Sequence, residues 1–359
     1  MKNIPLSKPT YSEEIKDELC KVLDSGWTGN GPKVLEFEKA FAEYTGFKYA
    51  VATNSATSAL DLCLKVYDIK SGELITTPMT FVSDAWVGEN NGMDVTFADI
   101  DPRTLCIDPE SIKVTQKTQA IIAVDSHGRL ADVKKLQELY PTTVIIEDAA
   151  HAMYTPGVGQ HADITVFSFQ AVKTLPIFDG GMIVTNDEAI AKKLKTLTWL
   201  GIEKSTFDRV GNKGYSWDYE INHSGIKGYM TDVQAVIGLG QLKRLELMNA
   251  RRREIQHKYN EAFKDIPEFT APEYSHTVQY YTPEWVNRDG LCEFLGEKGI
   301  TTSVHFKPLH LMEYWKKGLK RELPNCEVWK KLLSLPVHHG LTEEELVFII
   351  EQVKLFYNK

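Results

Sequence analysis

Four short segments of this chain hold residues whose types and spacing could do chemistry together. Phe167-Ser168-Phe169-Gln170-Ala171-Val172-Lys173 leads through Asp179 into Gly180-Gly181, and Lys173 is the only cation in the nineteen residues from Ala162 to Gly180. An amine in such surroundings gives up its proton more easily and becomes a nucleophile able to form a Schiff base. The plainer alternative is a surface lysine with its stem laid on apolar neighbours. The apolar run that ends in Glu147-Asp148-Ala149-Ala150-His151 puts acids at the end of a strand. Asp148 there either keeps a pyridine nitrogen protonated or caps a turn. Thr53-Asn54-Ser55-Ala56-Thr57-Ser58-Ala59-Leu60 is a small-residue turn into a helix, whose free N–H groups suit a phosphate. Taken alone it reads as a capped helix start that binds nothing. Phe81 follows the strand exit Thr76-Thr77-Pro78-Met79-Thr80; its ring could stack on a flat cofactor, and in isolation it reads as core. Together the four supply a phosphate cradle, an aromatic platform, an acid for a ring nitrogen and a Schiff-base lysine, which are the needs of pyridoxal 5′-phosphate.

The elements that would position these segments alternate. Apolar runs at 49–53, 74–77, 94–97, 120–124, 144–146, 165–167 and 182–184 are separated by helical patterns that include 55–66, 81–90, 132–139 and 187–200. That order predicts an α/β fold with a mostly parallel sheet covered on both faces. The chemical segments fall at strand ends, where open α/β sheets bind ligands. Two helices come first. Ser12 caps one with Ile15, Leu19, Val22 and Leu23 at helical spacing before Gly26, and the other follows Gly31-Pro32 and stops at Gly46. Residues 242–263 read as one long charged helix, a connector rather than a core element. Beyond it a smaller α+β portion is expected, with strands near 277–281 and 301–306 and a closing helix at 343–357. The expected division is a large cofactor-binding domain at 1–245 and a small domain at 246–359.

Composition narrows the function. The 359 residues are 43% hydrophobic and 25% charged, an ordinary globular balance. Lys+Arg 41 against Asp+Glu 49 gives a net charge of −8, which lacks the basic footprint of a nucleic-acid binder. Cys20, Cys63, Cys106, Cys292 and Cys326 are far apart with no C-x-x-C pair, fitting a reducing compartment rather than a disulfide scaffold or zinc ribbon. No signal core or membrane-length apolar run is visible, so the expectation is a cytoplasmic protein with no membrane or nucleic-acid partner. The histidines outside the four segments have no metal-ligand spacing, and no metal is expected. Arg251-Arg252-Arg253-Glu254 reads as a solvated helix face.

Further motifs run through the whole chain: Ile4-Pro5, Ser25-Gly26, Gly29-Asn30-Gly31-Pro32, Phe37-Glu38, Met230-Thr231-Asp232-Val233-Gln234-Ala235, Gly238, Val304-His305-Phe306, Pro308-Leu309-His310-Leu311, Ser334-Leu335-Pro336 and Gly340-Leu341-Thr342. With the four segments, and in this order, the chain resembles the DegT/DnrJ/StrS family of PLP-dependent nucleotide-sugar aminotransferases. The resemblance implies a fold-type I aminotransferase and a role for each residue. Lys173 would hold the cofactor and shuttle the proton. Asp148 would pair with the pyridine nitrogen, Phe81 would stack on the ring, and His151 would lie at the ring hydroxyl. Ala56, Thr57 and Ser168 would take the phosphate, with Lys227 reaching it across a subunit interface. Gln170, His305 and His310 would lie near the substrate. The implied partners are L-glutamate as amino donor and a nucleotide-linked keto-deoxysugar aminated at C4, or alternatively C3, in glycan precursor biosynthesis such as that of lipopolysaccharide O-antigen. The implied assembly is a homodimer with shared active sites.

The sequence departs from the family pattern at four places. Ala56 and Gln170 stand where glycine and histidine are usual. Asp125-Ser126-His127-Gly128 replaces His-x-Tyr-Gly, and Lys227-Gly228-Tyr229 replaces Asn-x-Arg. A PLP-dependent sugar dehydratase, a catalytically silent relative that binds PLP or a sugar nucleotide, and a PLP lyase acting on an amino acid stand as alternatives. The dehydratase branch has histidine in place of the lysine, so Lys173 ranks transamination above it.

Overall fold

The helix signals written in the sequence set the first elements. Ser12 accepts the Ile15 N–H at 3.4 Å and starts α1 (Glu13–Asp24). Pro32 opens α2 (Pro32–Thr45), and Gly46, left-handed at φ 79°, ends it. Glu38 on α2 accepts the Ala52 N–H at 2.8 Å and pairs with Lys195, tying the helix to the first strand. A computed structural model describes residues 3–153, 155–203, 219–316 and 322–357.

From there strands and helices alternate as the periodicity predicts: β1 (Tyr49–Thr53), α3 (Ala56–Val66), β2 (Glu73–Thr76), α4 (Ser83–Asn90), β3 (Asp94–Phe97), β4 (Thr118–Val124), α5 (Val133–Leu139), β5 (Val144–Asp148), β6 (Ile164–Ser168), β7 (Gly181–Thr185) and α6 (Glu188–Thr198). The seven strands form one sheet in the order β1-β7-β6-β5-β4-β2-β3. Only β7 runs against its neighbours, pairing antiparallel with β1 and β6. Apolar side chains on one face pack beneath α1 and α2, and those on the other pack beneath α3 and α6. The fold is α/β with a mixed, mostly parallel sheet.

The long helix departs from its expected form. α7 (Asp232–Phe263) begins ten residues earlier than the charge pattern suggests, because Thr231 and Gln234 form a reciprocal cap. It is no bare connector. Ala235, Val236, Ile237, Leu245 and Met248 pack into the core shared with α1 and α2, while Ile255, Tyr259 and Phe263 enter the C-terminal core. Nor is the arginine run a solvated face: Arg252 is buried and donates to the carbonyls of Val278 at 3.0 Å and Gln279 at 3.3 Å. The helix runs unbroken through residue 245.

The strands expected at 277–281 and 301–306 do not form. In place of a ladder each segment makes one isolated β-bridge, Tyr281 to Leu335 and Ser303 to Ser334. Apolar content there reflects burial of Val278 and Tyr281 under α7, not a ladder. The regular elements of this portion are β8 (Phe269–Thr270), β9 (Glu284–Trp285), α8 (Arg288–Glu297), α9 (Glu313–Lys316) and α10 (Glu343–Tyr357). Among the described residues no helix is long and apolar enough to cross a membrane.

Gly181 opens β7 where no side chain fits. A Cβ there would lie 2.7 Å from the Ala56 nitrogen and from the Ser55 carbonyl carbon and oxygen, all backbone atoms. Gly181→Ala therefore pushes β7 away from the start of α3. The expected loss is about 1–3 kcal/mol of stability, read by urea unfolding. An unchanged midpoint would contradict the contact.

Candidate active site

The site begins at the end of β5, where Glu147 and Asp148 are consecutive and therefore face opposite sides of the sheet. Each meets a second buried acid. Asp148 accepts the Ala150 N–H at 2.9 Å and lies beside the carboxyl of Asp84, which is in the first turn of α4. Thr80 donates its hydroxyl to Asp84 Oδ2 at 2.5 Å. On the other side Glu147 accepts the Gly159 N–H at 2.7 Å and the Thr165 hydroxyl at 3.2 Å, and lies beside Asp125. Asp125 Oδ1 accepts the Ala131 N–H at 2.9 Å. Burial raises the proton affinity of all four carboxyls. It pushes Asp84 and Asp125 well above the usual carboxylate range and Glu147 to about 7.

Lys173 sits on the loop between β6 and β7. The loop is closed by the Phe169 N–H on Gly180 O at 2.9 Å and the Ile177 N–H on Phe169 O at 2.9 Å. Within it the Gln170 carbonyl accepts the Lys173 N–H at 2.8 Å, and the Gln170 side chain accepts the Val172 N–H at 3.0 Å. Gln279 clamps the loop from outside by donating to Val172 O at 3.0 Å. Burial lowers the Lys173 ammonium to about 8, against the pull of Asp148 and Asp84. The amine is thus available as a base or nucleophile near neutral pH.

A cluster of rings surrounds this amine. His151 Nδ1 accepts the His127 N–H at 3.4 Å, which leaves its proton on Nε2, and its ring lies parallel to Phe306 at 6.0 Å. His127 is held in a left-handed conformation at φ 59° and its Nδ1 accepts from Arg129 at 3.0 Å. His305 stacks on Tyr280 at 3.7 Å and bonds Ser334 at 2.7 Å. Burial lowers all three imidazoles, with the Lys173 charge adding to it, and His305 falls to about 3. They are neutral at pH 7.

The turn into α3 lies at the edge of β7. The Ser55 hydroxyl caps the helix by accepting the Ser58 N–H at 3.1 Å, and the first-turn N–H groups of Ala56 and Thr57 have no acceptor within the helix. Ser168 ends β6 and pairs with Gly181, against which that turn packs. Phe81 is 58% exposed, so it is a surface ring and not core, three residues before Asp84. Lys227 is exposed, with its Nζ 5.9 Å from the centre of the Trp199 ring and its carbonyl near Asn54. His310 stands apart: its charged neighbours are Glu327 and Asp99, and the Leu309 N–H beside it bonds Pro78 O at 2.9 Å.

Sequence reasoning named the lysine, the strand-end acid, His151, His305 and the phosphate turn, and missed Asp84, Gln279 and Tyr280. A Thr80 and Asp84 pair four residues apart in an otherwise apolar stretch was a readable signal. Nothing local marks 279 and 280.

The residues present fit pyridoxal 5′-phosphate. A lysine near pH 8 faces a buried carboxylate, and unfilled helix N–H groups lie on the same edge of the sheet. The profile of the DegT/DnrJ/EryC1/StrS aminotransferase family matches residues 9–354. The spore coat polysaccharide biosynthesis protein SpsC of Bacillus subtilis (strain 168) is 39% identical, over 98% of this chain and 96% of its own length. Spr1654 from Streptococcus pneumoniae, solved in its PMP form, superposes with a TM-score of 0.90 at 29% identity over 99% of both chains. DesI, solved in the presence of its TDP-sugar product, gives a TM-score of 0.90 at 27% identity over 100% of this chain and 94% of that one.

The raised acids set a pH dependence. A buried carboxyl that keeps its proton longer when folded stabilises the fold below its unfolded value, and that contribution is lost as pH rises. For Glu147 the window runs from the ordinary glutamate value of 4.5 to about 7. Glu147→Gln is expected to flatten the fall of stability between those pH values in urea titrations. An unchanged slope would show that Glu147 holds no extra proton.

Proposed function

Because the chain belongs to the DegT/DnrJ/EryC1/StrS aminotransferase family and is a PLP-dependent sugar aminotransferase, we propose that it moves the amino group of L-glutamate onto the keto carbon of a nucleotide-linked keto-deoxysugar. C4 is favoured over C3, and the product feeds glycan precursor biosynthesis. The observation that carries the reading is Lys173, lowered to about 8 by burial while it faces Asp148. The TDP-sugar product of DesI and the polysaccharide role of SpsC support the substrate class.

When bound, pyridoxal phosphate supplies an electron sink for the carbon that loses its proton. Asp148 would hold the proton on the ring nitrogen, and His151 would serve the ring hydroxyl. Phe81 would stack on the ring, while Ala56, Thr57 and Ser168 would hold the phosphate. Lys173 Nζ would hold the cofactor and would carry the proton to and from the substrate carbon. A lysine near 8 is matched to that work, since it both accepts and returns a proton at neutral pH. The neutral ring cluster of His151, His305 and Tyr280 packs around the amine and excludes water. Gln170 and His305 face the sugar, with His310 further out.

A homodimer that shares its sites belongs to this reading. The cleft of about 440 Å³ lined by Trp27, Leu35, Lys195, Trp199, Ile202 and Tyr229 lies apart from Lys173. Leu35, Leu200 and Ile221 stay exposed around it, which supports a second copy covering this face and receiving Lys227. Lys227 then meets the phosphate as a point charge.

Purified protein with added PLP is expected to show a visible absorption band that L-glutamate bleaches. Lys173→Ala is expected to lose the band and to lower turnover at least ~100-fold. An active Lys173→Ala enzyme would overturn the lysine's role, and a band indifferent to glutamate would overturn the donor. A stable, fully active monomer in gel filtration would refute the shared site.

A further inference from the structure

The Asp84 carboxyl is placed where only a proton explains its contacts. It is fully buried in the first turn of α4. Its Oδ2 takes the Thr80 hydroxyl at 2.5 Å, and its Oδ1 meets no N–H or O–H donor among the described residues. The group that lies beside it is another carboxyl, Asp148. Two carboxyls can share a hydrogen bond only if one of them holds a proton. Asp148 has the better-supported anion, since it accepts the Ala150 N–H at 2.9 Å and faces Lys173. Asp84 has one hydroxyl for support.

We propose that Asp84 is a positioning residue that stays protonated at neutral pH and donates to Asp148, so that Asp148 remains an anion toward the cofactor's ring nitrogen. The inference rests on the assignment of Asp148 made under the proposed function. Its chemistry is direct. A hydrogen bond donated to a carboxylate lowers that carboxylate's basicity, so the proton shared with the ring nitrogen stays on nitrogen. Burial works the other way, raising Asp148, and the Asp84 donor offsets it. The remaining charged or titratable groups around the pair are Lys173, whose charge opposes both shifts, and the buried Cys63 thiol on α3, held neutral by burial and by Asp148. Asp125 and Glu147 form their own pair at the opposite face of β5.

Two variants separate donation from packing. Asp84→Asn keeps the shape and offers an N–H to Asp148, and Asp84→Leu keeps the volume and offers none. In infrared spectra of the holoenzyme at neutral pH, a protonated carboxylic acid band is expected that both variants lose, while the band from the Asp125 and Glu147 pair persists. Asp84→Asn is expected to retain turnover within a few-fold, and Asp84→Leu to lose about 10- to 100-fold in kcat with little change in KM for the sugar. PLP is expected to dissociate more readily from the Leu variant, by a similar factor. An acid band unchanged in Asp84→Asn would show that Asp84 is ionised and would overturn the proposal. So would an Asp84→Leu enzyme with native kcat and PLP affinity. If the Leu variant fails to fold, the Asn spectrum alone decides. Loss of the band together with indifference to glutamate would leave the proton on Asp84 standing and instead refute the donor assignment.

Discussion

Desolvation at the end of β5 is the constraint on which the rest of the molecule depends. Four acids are buried there by the sheet and its helices, and Lys173 is partly buried against them. Isolated charges there would be prohibitive. The fold resolves this by setting the acids two by two, one pair on each face of a single strand, and burial raises the proton affinity of all four. The same exclusion of water frees the Lys173 amine for chemistry and keeps His127, His151 and His305 neutral. One physical cause thus sets the protonation of nearly every group in the site.

The frame that maintains this exclusion runs through the long helix. Arg252 on α7 holds the carbonyls of Val278 and Gln279, and Gln279 in turn holds Val172 beside the lysine. Tyr280, next in the chain, stacks on His305 and meets His151 edge-on at 5.2 Å. The C-terminal portion therefore does more than flank the sheet. It closes the site and fixes the loop from which the amine projects.

Much of this was legible in the residues. Strand and helix alternation, the caps at Ser12, Gly31 and Gly46, and the placement of Asp148 and Lys173 at strand ends all follow from local patterns, which period and turn chemistry report well. What stayed hidden depends on partners distant in sequence. Arg252 reads as solvated because a charged run carries no mark of the carbonyls 26 and 27 residues away that receive it. The strands expected at 277–281 and 301–306 share the composition of strands but lack neighbours to pair with over any length. Asp84 looks like any acid in a helix's first turn until Asp148 is set beside it.

The close approach of Gly181 to Ser55 and Ala56 has a wider consequence. The exit of the lysine loop and the entrance of the phosphate turn meet backbone against backbone, with no side chain between them. The spacing between the lysine loop and that turn is therefore set here by main-chain contact, with no side chain to adjust it. On the proposed reading, Gln170 and the 125–128 turn take no part in that contact and are left to vary with the sugar. The fold separates the part that must hold one cofactor from the part that is free to change its substrate.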